Sequence, residues 1–217
     1  MKNITSTKEA IIDAALYLFH LKGFHAASIR DIAGRAGVNP ANISYYFKNK
    51  HGLLEYCIVS YMEEYTSLMS ETLARAESIG SAACMFEMVN SILHFQRKHF
   101  LSARFIFGEF SLDSNLNREI LSTYLARERY HFETLIEHGI RTKAFRPVQI
   151  PVFILQLKGL LSAPLIHASY AAELLHIFSQ EAYYTDQYAK QVNSFLKSSL
   201  LSGPDAKNPF LEMQALA

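Results

Sequence analysis

Tryptophan is absent from this 217-residue chain, and cysteine occurs only twice. Cys57 and Cys84 make neither a disulfide framework nor a CxxC unit, so redox or structural zinc chemistry is not expected and a reducing cytoplasm fits best. No apolar run is long enough to cross a membrane. Lys8, Glu9 and Asp13 interrupt the opening segment, which therefore lacks the pattern of a secretory signal. There is no nucleophile elbow, Walker loop or dinucleotide fingerprint, and no HExxH. His94 with His99, and His131 with His138 near Glu137, have no metal-site spacing beyond a shared helix face. Glu109 and Asp113 flank an aromatic stretch without any partnering base or electrophile. These absences argue against an enzyme, a metal site and a bound cofactor.

What is present is helical and apolar. Half of the residues are hydrophobic, with fifteen Phe and twelve Tyr, enough to bury a sizeable core. Net charge is only +1, yet residues 1–52 carry seven basic side chains against three acidic ones. That basic N-terminal module on a mildly acidic body suits a nucleic-acid reader joined to a second functional unit. Residues 7–22 place Ile11, Ala14, Ala15, Leu18 and Phe19 on one helical stripe, and Gly23 stops it. Phe24 is expected to plug a small core with Ile29, Ile32, Val38, Ile43 and Phe47. So small a core needs the next helix, starting near Lys50, for support.

The most informative stretch is residues 28–50, SIRDIAGRAGVNPANISYYFKNK. Ser28 and Asp31 have capping-box spacing, Gly37 falls where a C-cap belongs, and Asn39-Pro40 is a helix start. Helix, tight turn and short second helix are a compact way to hold a probe in the DNA major groove. Pro40, Ala41 and Asn42 lie at the exposed front of that probe. Asn42 can pair with adenine through two hydrogen bonds, and Pro40 or Ala41 can lie on a thymine methyl. A solvated or phosphate-bound Asn42 is the alternative.

Downstream, helices are expected over 81–98, 102–110, 115–142 and 149–163, with one or two more over 171–200. Gly139 is expected to weaken the end of its helix, and Pro164 to kink or end its own. VFILQLKGLLSAPLI is apolar almost all round, as in a central core helix or a contact between two copies. The fold class is all-α. The expected division is 1–50 for DNA binding, 51–203 for a helical dimerisation and regulatory domain, and 204–217 as a loosely held tail.

The segment Ser28–Leu54, with SIRDIA, AGV, ISYYF and KNK in order, resembles the DNA-binding region of the TetR family of bacterial regulators. The resemblance implies a dimer on double-stranded DNA, each copy reading one half-site. It places Ser28 near phosphate and Arg30 at a base edge or phosphate, with an internal pair to Asp31 or Asp13 as the alternative. Ser44 stands where tyrosine is common, so only a shorter contact is expected there. Tyr46 is favoured for DNA, while Tyr45 is divided between DNA and the long linking helix. Lys48 and Lys50 are expected to clamp the phosphate backbone, and Asn39 joins the contact set.

Family members commonly hold a small-molecule effector in the C-terminal domain. Phe105, Phe107, Phe110 and Tyr124 are candidates to line such a pocket, or to fill it. Within the family, REILSTYLARERYHFETLI (118–136) and FILQLKGLLSAPLI (153–166) resemble members from sporulating bacilli that act on division-septum placement through the tubulin-like FtsZ. That closer likeness implies a homodimer on a few near-palindromic chromosomal sites, located at the nucleoid. It makes Arg104, Arg118, Arg127, Glu128 and Arg129 a candidate surface for a protein partner, though ordinary solvation explains those charges nearly as well. A ligand-responsive transcriptional repressor is the other functional expectation.

Overall fold

The computed structural model describes residues 6–111 and 118–201, apart from the side chains of residues 109–111 and 118. Eleven helices run through the described residues, with no sheet beyond one isolated bridge between Phe145 and Leu201. The first three, α1 (Thr7–Lys22), α2 (Ile29–Ala36) and α3 (Pro40–Phe47), make the N-terminal module. Each begins on a side-chain cap. Ser6 and Glu9 form one capping box, Ser28 and Asp31 a second, and Asn39 accepts from the Ala41 amide at 2.8 Å. Each cap satisfies amides that would otherwise lack partners, worth about 1 kcal/mol apiece. Gly37, in the left-handed region at φ 68°, ends α2 and turns the chain into α3.

Phe24 fills the expected plug position. It is buried, with its ring 5.3 Å from that of Phe19. Ile32, Ile43 and Phe47 complete the small core, and Ile29 and Val38 pack at its edge. The module leans on α4 (Lys50–Leu73) and also on α7 (Phe100–Ser111), where Phe105 packs 5.6 Å from Phe19. Gly52 in the first turn of α4 is sterically required. A Cβ there would sit 2.2 Å from the Phe47 carbonyl oxygen, so any side chain would push α3 off the start of α4.

A short α5 (Ala76–Ile79), absent from the expected elements, turns the chain into α6 (Ser81–Lys98). α8 (Arg118–Arg141) packs across α4, and Gly139 near its end is a contact point rather than a weak spot. A Cβ at Gly139 would lie 2.0 Å from the Phe145 ring, which stacks there as the chain leaves the helix. Arg146 then caps the C-terminus of α11 (Ala182–Leu200) by donating to the Ser198 and Ser199 carbonyls at 2.6 and 2.7 Å.

α9 (Ile150–Ile166) continues two residues past Pro164, and α10 (Ala168–Leu174) leaves it at 61°. Proline cannot donate to the carbonyl four residues back. The Leu160 carbonyl accepts instead from the Tyr188 hydroxyl of α11, at 2.7 Å. The expected apolar excess of α9 has two faces. Phe153, Leu157, Leu161 and Leu165 are buried inward. Val152, Leu155 and Ile166 form an opposite stripe and are 53%, 72% and 48% exposed. Among the described residues no single helix is long and apolar enough to cross a membrane; the bent pair of α9 and α10 meets that test only in combination.

Candidate DNA interface and ligand cavity

The probe helix α3 has a clear inside and outside. Ile43 and Phe47, four apart, are buried. Pro40, Ala41, Ser44, Tyr45 and Lys48 follow the complementary spacing and are exposed. Tyr45 is 82% exposed with its ring 5.0 Å from that of Tyr46, so of its two alternatives the packing against α4 is not the one realised. Tyr46 is 43% exposed and lies beside Phe47. Asn42 is half-buried at the edge of the outer face. Asn39 has its oxygen engaged by the Ala41 amide, leaving its side-chain NH2 as the group available to DNA.

On α2, the Ser28 hydroxyl accepts from the Asp31 amide at 3.1 Å, and the Asp31 carboxylate accepts from the Ser28 amide at 3.2 Å. These bonds, with Lys22 at 3.8 Å, hold the Asp31 carboxyl below the usual range. The capping box does not use the Ser28 hydroxyl proton. Arg30 is exposed and pairs with neither Asp31 nor Asp13, so the internal alternative is not realised. Its five donors face solvent beside the probe helix, in the form suited to guanine or phosphate.

Lys50 corrects the sequence reading. Its ammonium donates to the carbonyls of Phe24, His25 and Ala27 at 2.9, 3.2 and 3.0 Å, and lies 4.5 Å from the Phe24 ring centre. With all three protons engaged inward, it fastens the α1–α2 turn to α4 instead of clamping phosphate. Two residues outside the sequence expectation help brace the module. Lys8 sits 4.0 Å over the Tyr56 ring, and Tyr56 packs on Phe47. Their spacing of 48 residues leaves no local pattern by which to find them.

The expected protein-partner strip does not form one surface. Glu128 is 4% exposed, accepting from the Tyr65 hydroxyl at 2.6 Å and pairing with Lys158 of α9. It ties α4, α8 and α9 together. Burial, reinforced by the Glu128 charge, drives the Tyr65 hydroxyl far above its ordinary pKa. Arg127 pairs with Glu63 at 3.1 Å, and Arg129 lies 3.7 Å from Glu133. Arg104 sits over the Phe100 ring, on another helix; the Arg118 side chain lies outside the described residues.

Phe105, Phe107 and Tyr124 are buried in the core and fill space rather than line it; the Phe110 side chain lies outside the described residues. The cavity is elsewhere. It measures about 520 Å³, between α6, the start of α7, the end of α9, α10 and α11. Leu93, Phe100, Leu165 and Ile177 are among its apolar walls. Sequence periodicity missed it because an aliphatic lining and an aliphatic core read alike. Among the described residues no group of three metal-binding side chains converges.

Residues 11–57 match the family model for bacterial regulatory proteins of the tetR family. Over 198 residues the chain is 37% identical to a protein of Bacillus subtilis (strain 168) described as the probable HTH-type transcriptional regulator YttP, covering 91% of this chain and 96% of that one. The chain belongs to the TetR family of regulators. The fold agrees: the TetR family regulator PfmR from Thermus thermophilus superposes with a TM-score of 0.68 at 15% identity, over 87% of this chain and 97% of that one. A transcriptional regulator from Saccharomonospora viridis, solved in complex with choline, superposes at 0.63 with 18% identity, over 90% and 98%. Family membership makes the chain a DNA-binding regulator and not an enzyme. The outer face of α3 and Arg30 are exposed together on this N-terminal module.

Proposed function

We propose that this protein is a homodimeric, sequence-specific DNA-binding regulator whose hold on DNA is set by a small molecule in the C-terminal cavity. The observation that carries the ligand half is the 520 Å³ apolar cavity, inside the range of about 300–1,000 Å³ typical of small-molecule sites. Its position allows coupling. Phe100, at the start of α7, lines it, and Phe105 of the same helix packs on Phe19 of α1. A ligand that shifts α7 therefore moves the module that carries the probe.

The dimer is supported by the outer stripe of α9, with Val152, Leu155 and Ile166 exposed, and by Tyr170 and Leu174 beyond it. An apolar stripe of this kind on a soluble helix calls for a partner, and a second copy gives two probe helices about 34–36 Å apart for successive major grooves. Arg30, Asn42 and the outer face of α3 read bases, while Ser28 and Lys48 hold phosphate. The sites of such a protein lie on the chromosome.

The test begins with duplexes that the full-length protein selects from a random pool, followed by fluorescence anisotropy against a library of apolar small molecules. Compounds that release DNA from the parent, but not from a cavity-filling Ala171→Trp variant, support the reading. The second reading is a division-septum role through FtsZ. Its support is the likeness of residues 118–136 and 153–166 to the forespore-capture DNA-binding protein RefZ. Cosedimentation of the DNA-bound protein with FtsZ, and no release by any compound, would move the assignment there.

A further inference from the structure

We infer that the cavity selects an anionic amphiphile, a monocarboxylate with an aliphatic body, whose headgroup is received by Gln96 and Arg97. This deepens the ligand-responsive reading and rests on it for regulation, though not for binding. Most of the cavity surface is aliphatic or aromatic, which suits a hydrocarbon body. Two of its polar liners are already satisfied: the Tyr188 hydroxyl donates to the Leu160 carbonyl, and the Thr185 hydroxyl to the Glu181 carbonyl at 3.2 Å. Two are not. Gln96 is 2% exposed and its Nε2 is buried without a hydrogen-bond partner, as is Nε of the adjacent Arg97.

Buried donors without acceptors are costly, and cavities that carry them are completed by a ligand or water. In number and charge, two N–H donors, one on a guanidinium, suit the two oxygens of a carboxylate. Sign matters as much as geometry. Arg97 lines the cavity, and no Asp or Glu does. Off these walls, Glu64 and Asp186 lie 3.5 and 3.4 Å from the imidazoles of His99 and His94. A quaternary ammonium ligand finds no counter-ion on these walls, whereas a carboxylate does.

Isothermal titration calorimetry of the full-length protein with decanoate, decanol and decyltrimethylammonium tests this. Decanoate is expected to bind once per chain, about ten- to a hundredfold more tightly than decanol, as charge-assisted hydrogen bonds require. Decyltrimethylammonium is expected not to bind. Arg97→Ala and Gln96→Leu should each bring decanoate toward the decanol level without weakening decanol, and Ala171→Trp should abolish both. Circular dichroism melts identify any variant that fails to fold, and Arg97→Gln then replaces Arg97→Ala. Equal affinity for acid and alcohol, tighter binding of the cation, no binding of decanoate, or a preference that survives both headgroup variants overturns the inference. Binding of decanoate with no effect on operator DNA leaves it standing and removes the ligand-responsive reading. Release of DNA by other compounds, without decanoate binding, does the reverse.

Discussion

Lys50→Met distinguishes a structural lysine from a DNA-contacting one. The ammonium makes three hydrogen bonds to backbone carbonyls, two of them partly buried. A single hydrogen bond to a charged group contributes about 1.5–3 kcal/mol. Three bonds sharing one ammonium do not add, and partial exposure lets water reach the abandoned carbonyls. A net loss of about 2 kcal/mol is therefore expected. For a chain of this size that corresponds to a fall in Tm of about 4–8 °C. Thermal melts followed by circular dichroism measure it. DNA binding gives the opposing signature. A phosphate contact contributes about one unit to the slope of log affinity against log salt. With Lys50 turned inward, the slope in Lys50→Met should match the parent once protein is held well below its Tm. An unchanged Tm together with a slope reduced by about one would refute the inward clasp and restore the phosphate clamp.

Four further outcomes follow from the same geometry. Gly139→Ala should destabilise by about 1–3 kcal/mol by driving a methyl into the Phe145 ring, read in urea melts; a neutral result would mean that the end of α8 yields freely. Lys158→Met should cost about 3 kcal/mol by leaving Glu128 buried with only the Tyr65 hydroxyl, and the double change with Glu128→Leu should recover part of it; additive losses would argue against a coupled pair. Burial foremost lowers the pKa of His20, His99 and His131, so the unfolded chain binds more protons below about pH 6.5; stability should hold above that value and fall as pH drops through it, and denaturant midpoints that rise on acidification would contradict this. Arg30→Ala and Asn42→Ala should relax base preference across a panel of altered operators, whereas Lys48→Ala should weaken all duplexes alike; uniform losses for all three would sink the base-reading assignment.

The N-terminal module was legible because its signals are local. Ser28 with Asp31, Gly37, and Asn39 with Pro40 mark caps and turns within one short stretch, and each forms as spaced. Ile43 and Phe47 against Ser44, Tyr45 and Lys48 fix which side of α3 faces out. Lys50 misled because sequence assigns it a charge and a helix start but not the three carbonyls, which arrive from a turn more than twenty residues away. Glu128 misled for a related reason. It belongs to an Arg-Glu-Arg run that reads as a solvated face, yet α8 turns it onto Tyr65 and Lys158. The α9 pattern was informative but double-valued. A helix apolar on both faces is either central or shared, and its inner face is packed while the outer stripe remains exposed. The cavity had no sequence signal of its own, since it arises where α10 bends away from α9 after Pro164 and leaves aliphatic side chains unopposed.

Regulation by the cavity demands more than occupancy. A ligand shifts a conformational equilibrium only by the difference in its affinity for the two states. Moving a population from 1:99 to 99:1 takes about a 10⁴-fold preference. Filling an existing space gives no such difference unless the walls move. Here the walls are unequal. α6 is held between α4 and α11, with Tyr61 and Phe95 rings 5.0 Å apart and Asn193 bonded to Asn90 at 2.9 Å, so Gln96 and Arg97 sit on a firm element. α10 is short, lacks a side-chain cap, and packs mainly on α9. The start of α7 lies between these firm and yielding walls, and the same helix carries Phe105 onto α1. A headgroup anchored on α6 with a body pressing on Phe100 would therefore reach the DNA-binding module through α7. Glu128 ties α4, α8 and α9 together behind it. If the cavity is regulatory, the direction of force would be set by which walls are pinned, and α7, which lines the cavity at Phe100 and meets α1 at Phe105, would carry it.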